Sequence, residues 1–218
     1  MSDPSLSRLP PAQEVALGYA RAGKPALTAL FALDLHCAGV VRRTTEPMLA
    51  QMRLAWWRDA LLLPVNDRPR GEPLLESLSV WEQEAGALAN MVSAWEHLVG
   101  DDPLDPATAL AFARSRAEGF AGFARLAGAP DHADSALRGG VRWALADLAS
   151  HVSTGPDREA ALRAAAGADD DARRLPPVLR PLAVLFGLAE RSLARGGEPL
   201  LQSRVAALLA FRLGMFGR

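Results

Sequence analysis

The chain has very little lysine, cysteine or aromatic residue. Among its 218 residues, Lys24 is the only lysine, Cys37 is the only cysteine, and 6% of residues are aromatic. A lone cysteine excludes a disulfide within the chain and a cysteine-based metal site. Ala and Leu dominate the composition, and β-branched residues are few. Both features favour helices over strands. The composition therefore predicts an all-α protein.

The charges nearly cancel, with 24 basic and 25 acidic residues and a formal net charge of −1. Because a nucleic-acid footprint needs a clustered positive excess, we expect no nucleic-acid partner. Residues 1–8 do not read as a signal or transit peptide, and no apolar run approaches the roughly 18–20 residues that span a bilayer. We expect a cytoplasmic protein.

Proline and glycine divide the chain into helical segments, and no alternating strand pattern is present. The predicted helices cover about 11–22, 25–43, 46–63, 74–99 with a break, 107–127, 132–153, a shorter segment after Pro156, 178–195 and 199–215. No linker is long enough to divide them. The expected architecture is an orthogonal helical bundle, a single domain over 1–218.

The segment 44–63 is the most informative. Thr45 is a plausible N-cap, and Pro47 suits a first helical turn. Two apolar faces follow, one made of Leu49, Met52, Trp56, Ala60 and Leu63, the other of Leu54, Trp57 and Leu61. A helix apolar on two sides is typically surrounded by protein, so Trp56 and Trp57 are expected to be buried.

Six residues in this segment or just before it are candidates for cavity or partner contacts: Arg42, Arg43, Arg53, Trp56, Trp57 and Arg58. Simpler roles compete for each. The Trp pair can be core packing, Arg53 and Arg58 can be buried salt-bridge partners, and Arg42 and Arg43 can interact with a helix dipole.

The same segment carries a family resemblance. Glu46-Pro-Met-Leu, followed by Arg53-Leu-Ala-Trp-Trp-Arg-Asp-Ala-Leu, resembles the helix after the first acidic motif in squalene/phytoene synthase-like proteins. It is most similar to the branch containing mitochondrial complex I assembly factors and their bacterial relatives. Residues 26–43 and 175–183 also resemble that family. The resemblance implies an isoprenoid-synthase-like bundle, a protein partner such as a membrane complex, and a place peripheral to the inner membrane.

Enzymes of this family bind Mg²⁺–diphosphate through paired acids, because aspartates four apart on a helix face the same metal. Here Ala38, Gly39 and Arg42 fall where the first motif is expected, and His151 and Gly155 fall where the second is expected. Only one acid, Asp34, lies within residues 24–43, and only Asp147 within residues 135–156. We therefore expect no catalytic or metal-binding residues and no cofactor.

Two acidic runs imitate a metal motif. Residues 101–105 spell Asp-Asp-Pro-Leu-Asp, but their glycine and proline context predicts a turn with Asp105 as an N-cap. Residues 169–171 are three aspartates between glycine and proline, which predicts an exposed acidic loop.

The leading hypothesis is a non-catalytic assembly or scaffold factor. The alternatives are a prenyl transferase with displaced acids (Asp34, Asp147 or the 101–105 run), which would need Mg²⁺, and a lipid-binding protein. The last helix, with Arg204 and Arg212 among its apolar residues and Gly214 loosening its end, is either core or a surface for anionic lipid or a partner.

Overall fold

The computed structural model describes residues 9–21, 23–100, 103–169 and 175–217, and these ranges contain helices and no strand. The all-α prediction is confirmed. The α-helices are α1 Pro11–Leu17, α2 Lys24–Arg43, α3 Pro47–Leu62, α4 Pro73–Ser77, α5 Ala85–Glu96, α6 Pro106–Leu126, α7 Ala133–His151, α8 Gly155–Ala166, α9 Arg180–Leu193 and α10 Arg204–Phe216. Short 3₁₀ segments lie at Val65–Asp67, Leu78–Glu84, Pro130–His132 and Pro177–Leu179.

Several helix ends differ from the sequence prediction. Helix α3 begins at Pro47 with Glu46, not Thr45, in the N-cap position. The residue before a proline is held in extended backbone, so Glu46 is the last non-helical residue. Helix α1 ends at Leu17 instead of continuing to Ala22, which lies outside the described residues. Helix α10 begins at Arg204, because Ser203 provides its N-cap.

The core is one contiguous apolar cluster that draws residues from every α-helix, from Ala12 in α1 to Ala210 in α10. At its centre α6 packs against α7, and glycine permits their close approach. A Cβ at Gly140 would lie 2.7 Å from the Phe120 ring and 3.0 Å from Ala117. Gly139 and Gly140 are thus close-packing positions inside α7, whereas Gly196 and Gly197 separate α9 from α10 with positive φ.

Helix α2 is long and apolar enough to cross a membrane by length and composition, but half of its most apolar window is buried inside the bundle. Core helices of soluble proteins have the same composition. It runs through the core beside α5, which makes it the support for the site described below.

Helix α3 is covered on one face only, so the prediction that protein surrounds it is wrong. Trp57 is 4% exposed, as expected, but Trp56 is 44% exposed. Helix α3 packs against α2 and α5 through the face that contains Leu54, Trp57 and Leu61. No element within the described ranges covers most of the opposite face, where only Ala60 is buried and the exposed residues are Leu49, Met52, Trp56 and Leu63.

Helix α10 also exposes large apolar residues. Its buried residues are small, namely Ala206, Ala210 and Gly214. A Cβ at Gly214 would collide with the ring of Tyr19, so Gly214 does not loosen the chain end but fixes the helix against its neighbour. The core alternative holds for this small-residue face and for Leu209 and Leu213, which pack partly buried against the core.

Candidate functional site

Arg116, in the middle of α6, joins two acids from different helices. Its Nε donates to Asp34 Oδ1 at 2.9 Å and its Nη2 donates to Asp34 Oδ2 at 2.6 Å. Its Nη1 donates to Asp147 Oδ2 at 2.8 Å. Asp34 lies on α2 and Asp147 on α7, so the guanidinium connects three helices at the centre of the bundle. We call Asp34, Arg116, Asp147 and His151 the central ion cluster.

The Arg116–Asp34 pair of the cluster is buried, and both oxygens of Asp34 accept hydrogen bonds. Arg116 is 3% exposed and Asp34 is 4% exposed. Trp95 Nε1, on α5, also donates to Asp34 Oδ1, at 3.0 Å. A bidentate arginine–carboxylate pair with further donors is the arrangement that offsets the cost of burying charge.

Aromatic rings enclose the guanidinium. Its central carbon lies 4.2 Å from the Trp143 ring centroid, 5.1 Å from Trp95 and 5.4 Å from Phe112. At these distances the ring faces attract a cation. Arg116 therefore has electrostatic support from rings as well as from carboxylates.

The pKa shifts follow from this geometry. Burial alone would raise the pKa of Asp147, but Arg116 and His151 outweigh it and lower the pKa to about 2. Burial would lower the pKa of Arg116, but Asp34 and Asp147 outweigh it and raise the pKa. A hydrogen bond to Asp147 raises the pKa of His151 to about 9. At neutral pH Asp147 is therefore an anion, and Arg116 and His151 are cations.

Three of the four carboxylate oxygens of Asp34 and Asp147 accept hydrogen bonds from Arg116, and the fourth, Asp147 Oδ1, lies 3.4 Å from His151 Nδ1. A Mg²⁺ ion would compete with these donors for the same oxygens. The adjacent cavity is lined by Leu30, Phe31, Asp34, Met91, Arg116, Phe120 and Trp143, and its volume for a water-sized sphere is about 10 Å³. That volume is close to the minimum for one water molecule and is far too small for a prenyl or acyl chain.

The six predicted contact residues lie elsewhere, on α3 and at the end of α2. Arg42, Arg43 and Arg53 are exposed, and Arg53 Nη1 donates to Thr44 Oγ1 at 3.2 Å. Arg58 is half-buried and pairs with Glu96 at 3.0 Å and with Asp59 at 3.1 Å. The lining of the central cavity includes none of the six.

One of the six, Trp56, belongs to an exposed apolar strip along α3. We call this strip the α3 surface; it comprises Met48, Leu49, Met52, Trp56, Leu62 and Leu63. The ring of Trp56 packs edge-to-face against the buried ring of Trp57, with centroids 5.3 Å apart, and this contact orients Trp56.

The acidic runs do not join the site where the structure describes them. Asp105 caps α6 as predicted, accepting from the backbone N–H groups of Ala107 at 2.7 Å and Thr108 at 3.1 Å. Asp169 is exposed. Residues 101–102 and 170–171 lie outside the described ranges.

Sequence reasoning missed Arg116 and its aromatic neighbours. A signal was present: Arg116 lies four residues from both Phe112 and Phe120, in the middle of an apolar face. Asp34 is the only acid in α2, and Asp147 is the only acid within residues 135–156, so each needs a cation once it is buried. Which cation it is depends on how the helices pack.

Comparison of the chain with family models, with curated proteins and with solved structures finds no match.

Proposed function

We propose that this chain is a squalene/phytoene synthase-like protein with an isoprenoid-synthase-like fold that acts as a non-catalytic assembly or scaffold factor. The observation that carries the proposal is the bond of Arg116 to both Asp34 and Asp147. These are two of the acids that a displaced Mg²⁺ site could use, beside the 101–105 run. Their engagement by an internal cation favours a structural role at the centre.

The energetic argument supports the same role. Removing one partner of a buried ion pair costs about 3–5 kcal/mol, because the other charge remains buried and unpaired. For Asp34 and Asp147 to bind metal, Arg116 would have to leave both of them. The aromatic rings around its guanidinium oppose that movement.

We propose that a protein partner binds at the α3 surface. Exposed methionines and a half-exposed tryptophan are typical of adaptable contact surfaces. The border carries both signs of charge, with Arg42, Arg43 and Arg53 as cations and Glu46 and Asp59 as anions, all exposed. A protein segment with an apolar face and acidic flanking residues fits the three arginines. A uniformly anionic bilayer would face the two acids as well as the three arginines, whereas a protein segment can place its acids against the arginines alone.

By the family resemblance, the partner would be a subunit of a membrane complex. The protein would then work in the cytoplasm, peripheral to the inner membrane. This step rests on the similarity of residues 46–63 to the assembly-factor branch.

An activity assay tests the non-catalytic proposal. Incubation of the full chain with farnesyl or geranylgeranyl diphosphate, Mg²⁺ and NADPH should give no condensation product. Product formation that disappears in Asp34→Asn or Asp147→Asn would contradict the proposal and favour the prenyl transferase.

Site-specific crosslinking in the source cells tests the partner surface. A photoreactive amino acid at Met52 should give a discrete conjugate with a membrane-complex subunit, and Trp56→Glu should abolish that conjugate. The matched control is the same probe at Val80, which is 50% exposed in the 3₁₀ segment Leu78–Glu84. Equal crosslinking from both positions, or none from Met52, would contradict partner binding at the α3 surface.

A further inference from the structure

Helix α10 presents an apolar face to solvent. Its exposed large residues are Val205, Leu208, Phe211, Met215 and Phe216, each 55–68% exposed. With 3.6 residues per turn, these side chains lie on the side opposite the buried Ala206, Ala210 and Gly214. The helix thus turns its smallest residues toward the core and most of its large apolar residues toward solvent.

Close packing fixes the orientation of α10. Leu213 lies where Gly187 of α9 has no side chain, and Tyr19 lies against Gly214. Ser203 caps the helix by accepting from the Ala206 N–H at 3.1 Å, and Arg191 donates to the same hydroxyl at 3.0 Å. Rotating the apolar face inward would bring large side chains against these glycine contacts.

The charge on this face has one sign. Arg204 and Arg212 are exposed, lie on either side of Leu208 around the helix, and α10 contains no acid. Residues 175–217 contain five arginines and two acids, Glu190 and Glu198. Glu190 pairs with Arg142, and Glu198 lies 3.7 Å from Arg191. Within residues 175–217, the charge that faces outward around α10 is therefore positive.

We propose that α10 docks on an anionic phospholipid bilayer, with its axis in the membrane plane. The five apolar side chains enter the boundary between headgroups and acyl chains, while Arg204 and Arg212 extend to the lipid phosphates. The acid-free face distinguishes this site from the α3 surface, whose mixed charges fit a protein. The inference deepens the proposed function by naming the element that contacts the membrane, but its observations need neither the family resemblance nor a partner.

Vesicle flotation with the full chain tests the inference. The protein should bind vesicles of equal parts phosphatidylcholine and phosphatidylglycerol, and bind far less to phosphatidylcholine alone. Arg204→Gln with Arg212→Gln should weaken binding to the anionic vesicles about 30-fold, at roughly 1 kcal/mol per arginine. Phe211→Glu should abolish binding, since it places a charge in the apolar face.

Met52→Glu is the matched control, because it places the same charge on an exposed apolar residue of α3. It should leave vesicle binding unchanged, and circular dichroism should show every variant folded. Equal binding to both kinds of vesicle, or equal loss with Met52→Glu, would overturn the inference. So would α10 variants that dissociate a dimer without changing vesicle binding, because the face would then be covered by a second copy.

Discussion

At the residue scale, Arg116 determines what the centre of this protein can do. It provides the positive charge that Asp34 and Asp147 need once they are buried. His151 extends the network, with its Nδ1 lying 3.4 Å from Asp147 Oδ1 at the end of α7. The network thus alternates acid and base from α2 through α6 to α7, and its charges are satisfied internally.

The titration of His151 tests this network. Because Asp147 raises its pKa to about 9, His151 should remain protonated at neutral pH. The ion pair contributes stability below the ordinary histidine pKa of about 6.5 and loses it as pH rises through about 9. Its side chain is 65% exposed, so solvent screens the energy and the titration is the better measurement.

NMR detection of the imidazole should give that raised pKa, and Asp147→Asn should return it toward 6.5. His36 is an internal control, because burial lowers its pKa. A wild-type His151 that titrates near 6.5, unchanged by Asp147→Asn, would show that the pair does not form in solution.

At the element scale, the informative feature is one-sided burial. The spacing of apolar residues correctly predicts two apolar faces on α3. However, periodicity does not show whether the second face contacts another helix or water. Helix α3 buries only the face that contains Trp57. Helix α10 buries its small residues and packs Leu209 and Leu213 partly against the core, while its other large apolar residues lie in solvent. Hydrophobic content therefore predicted a core position for more of the helix than is covered.

The Trp pair provides a matched comparison of the two faces of α3. Trp57→Ala should lower the free energy of unfolding by about 3–5 kcal/mol, because it empties a packed position. Trp56→Ala should cost less than about 2 kcal/mol, since much of that side chain is already in water. Urea unfolding of both variants measures the difference. Equal large losses would mean that Trp56 is buried, as the sequence pattern alone predicts.

At the scale of the whole molecule, the cavity beside the central ion cluster holds no more than about 10 Å³, and α3 and α10 expose large apolar residues to solvent. The α3 surface lies on the part of the bundle formed with α2 and α5, and α10 lies on α9 and α1. Such an arrangement favours functions performed by contact with other molecules.

How much of this arrangement the sequence predicts depends on how far apart along the chain the interacting residues lie. Helix content, most helix boundaries and the Asp105 cap follow from local propensity and turn residues, which act over a few positions. The central ion cluster joins residues 82 and 31 positions apart, so it depends on how the helices pack. Local pattern identified Asp34 and Asp147 as solitary acids but carried no information on Arg116 as their shared partner.

The free energy of unfolding of Asp34→Asn tests the structural role of the centre most directly. Asp59→Asn on α3 is the control, because that acid is 69% exposed and its loss should change stability by no more than about 0.5 kcal/mol. If Asp34 is a structural counterion of Arg116, Asp34→Asn should lose about 3–5 kcal/mol in urea unfolding. Unchanged or increased stability would contradict the account, because acids kept for metal binding typically cost stability and their removal relieves that cost.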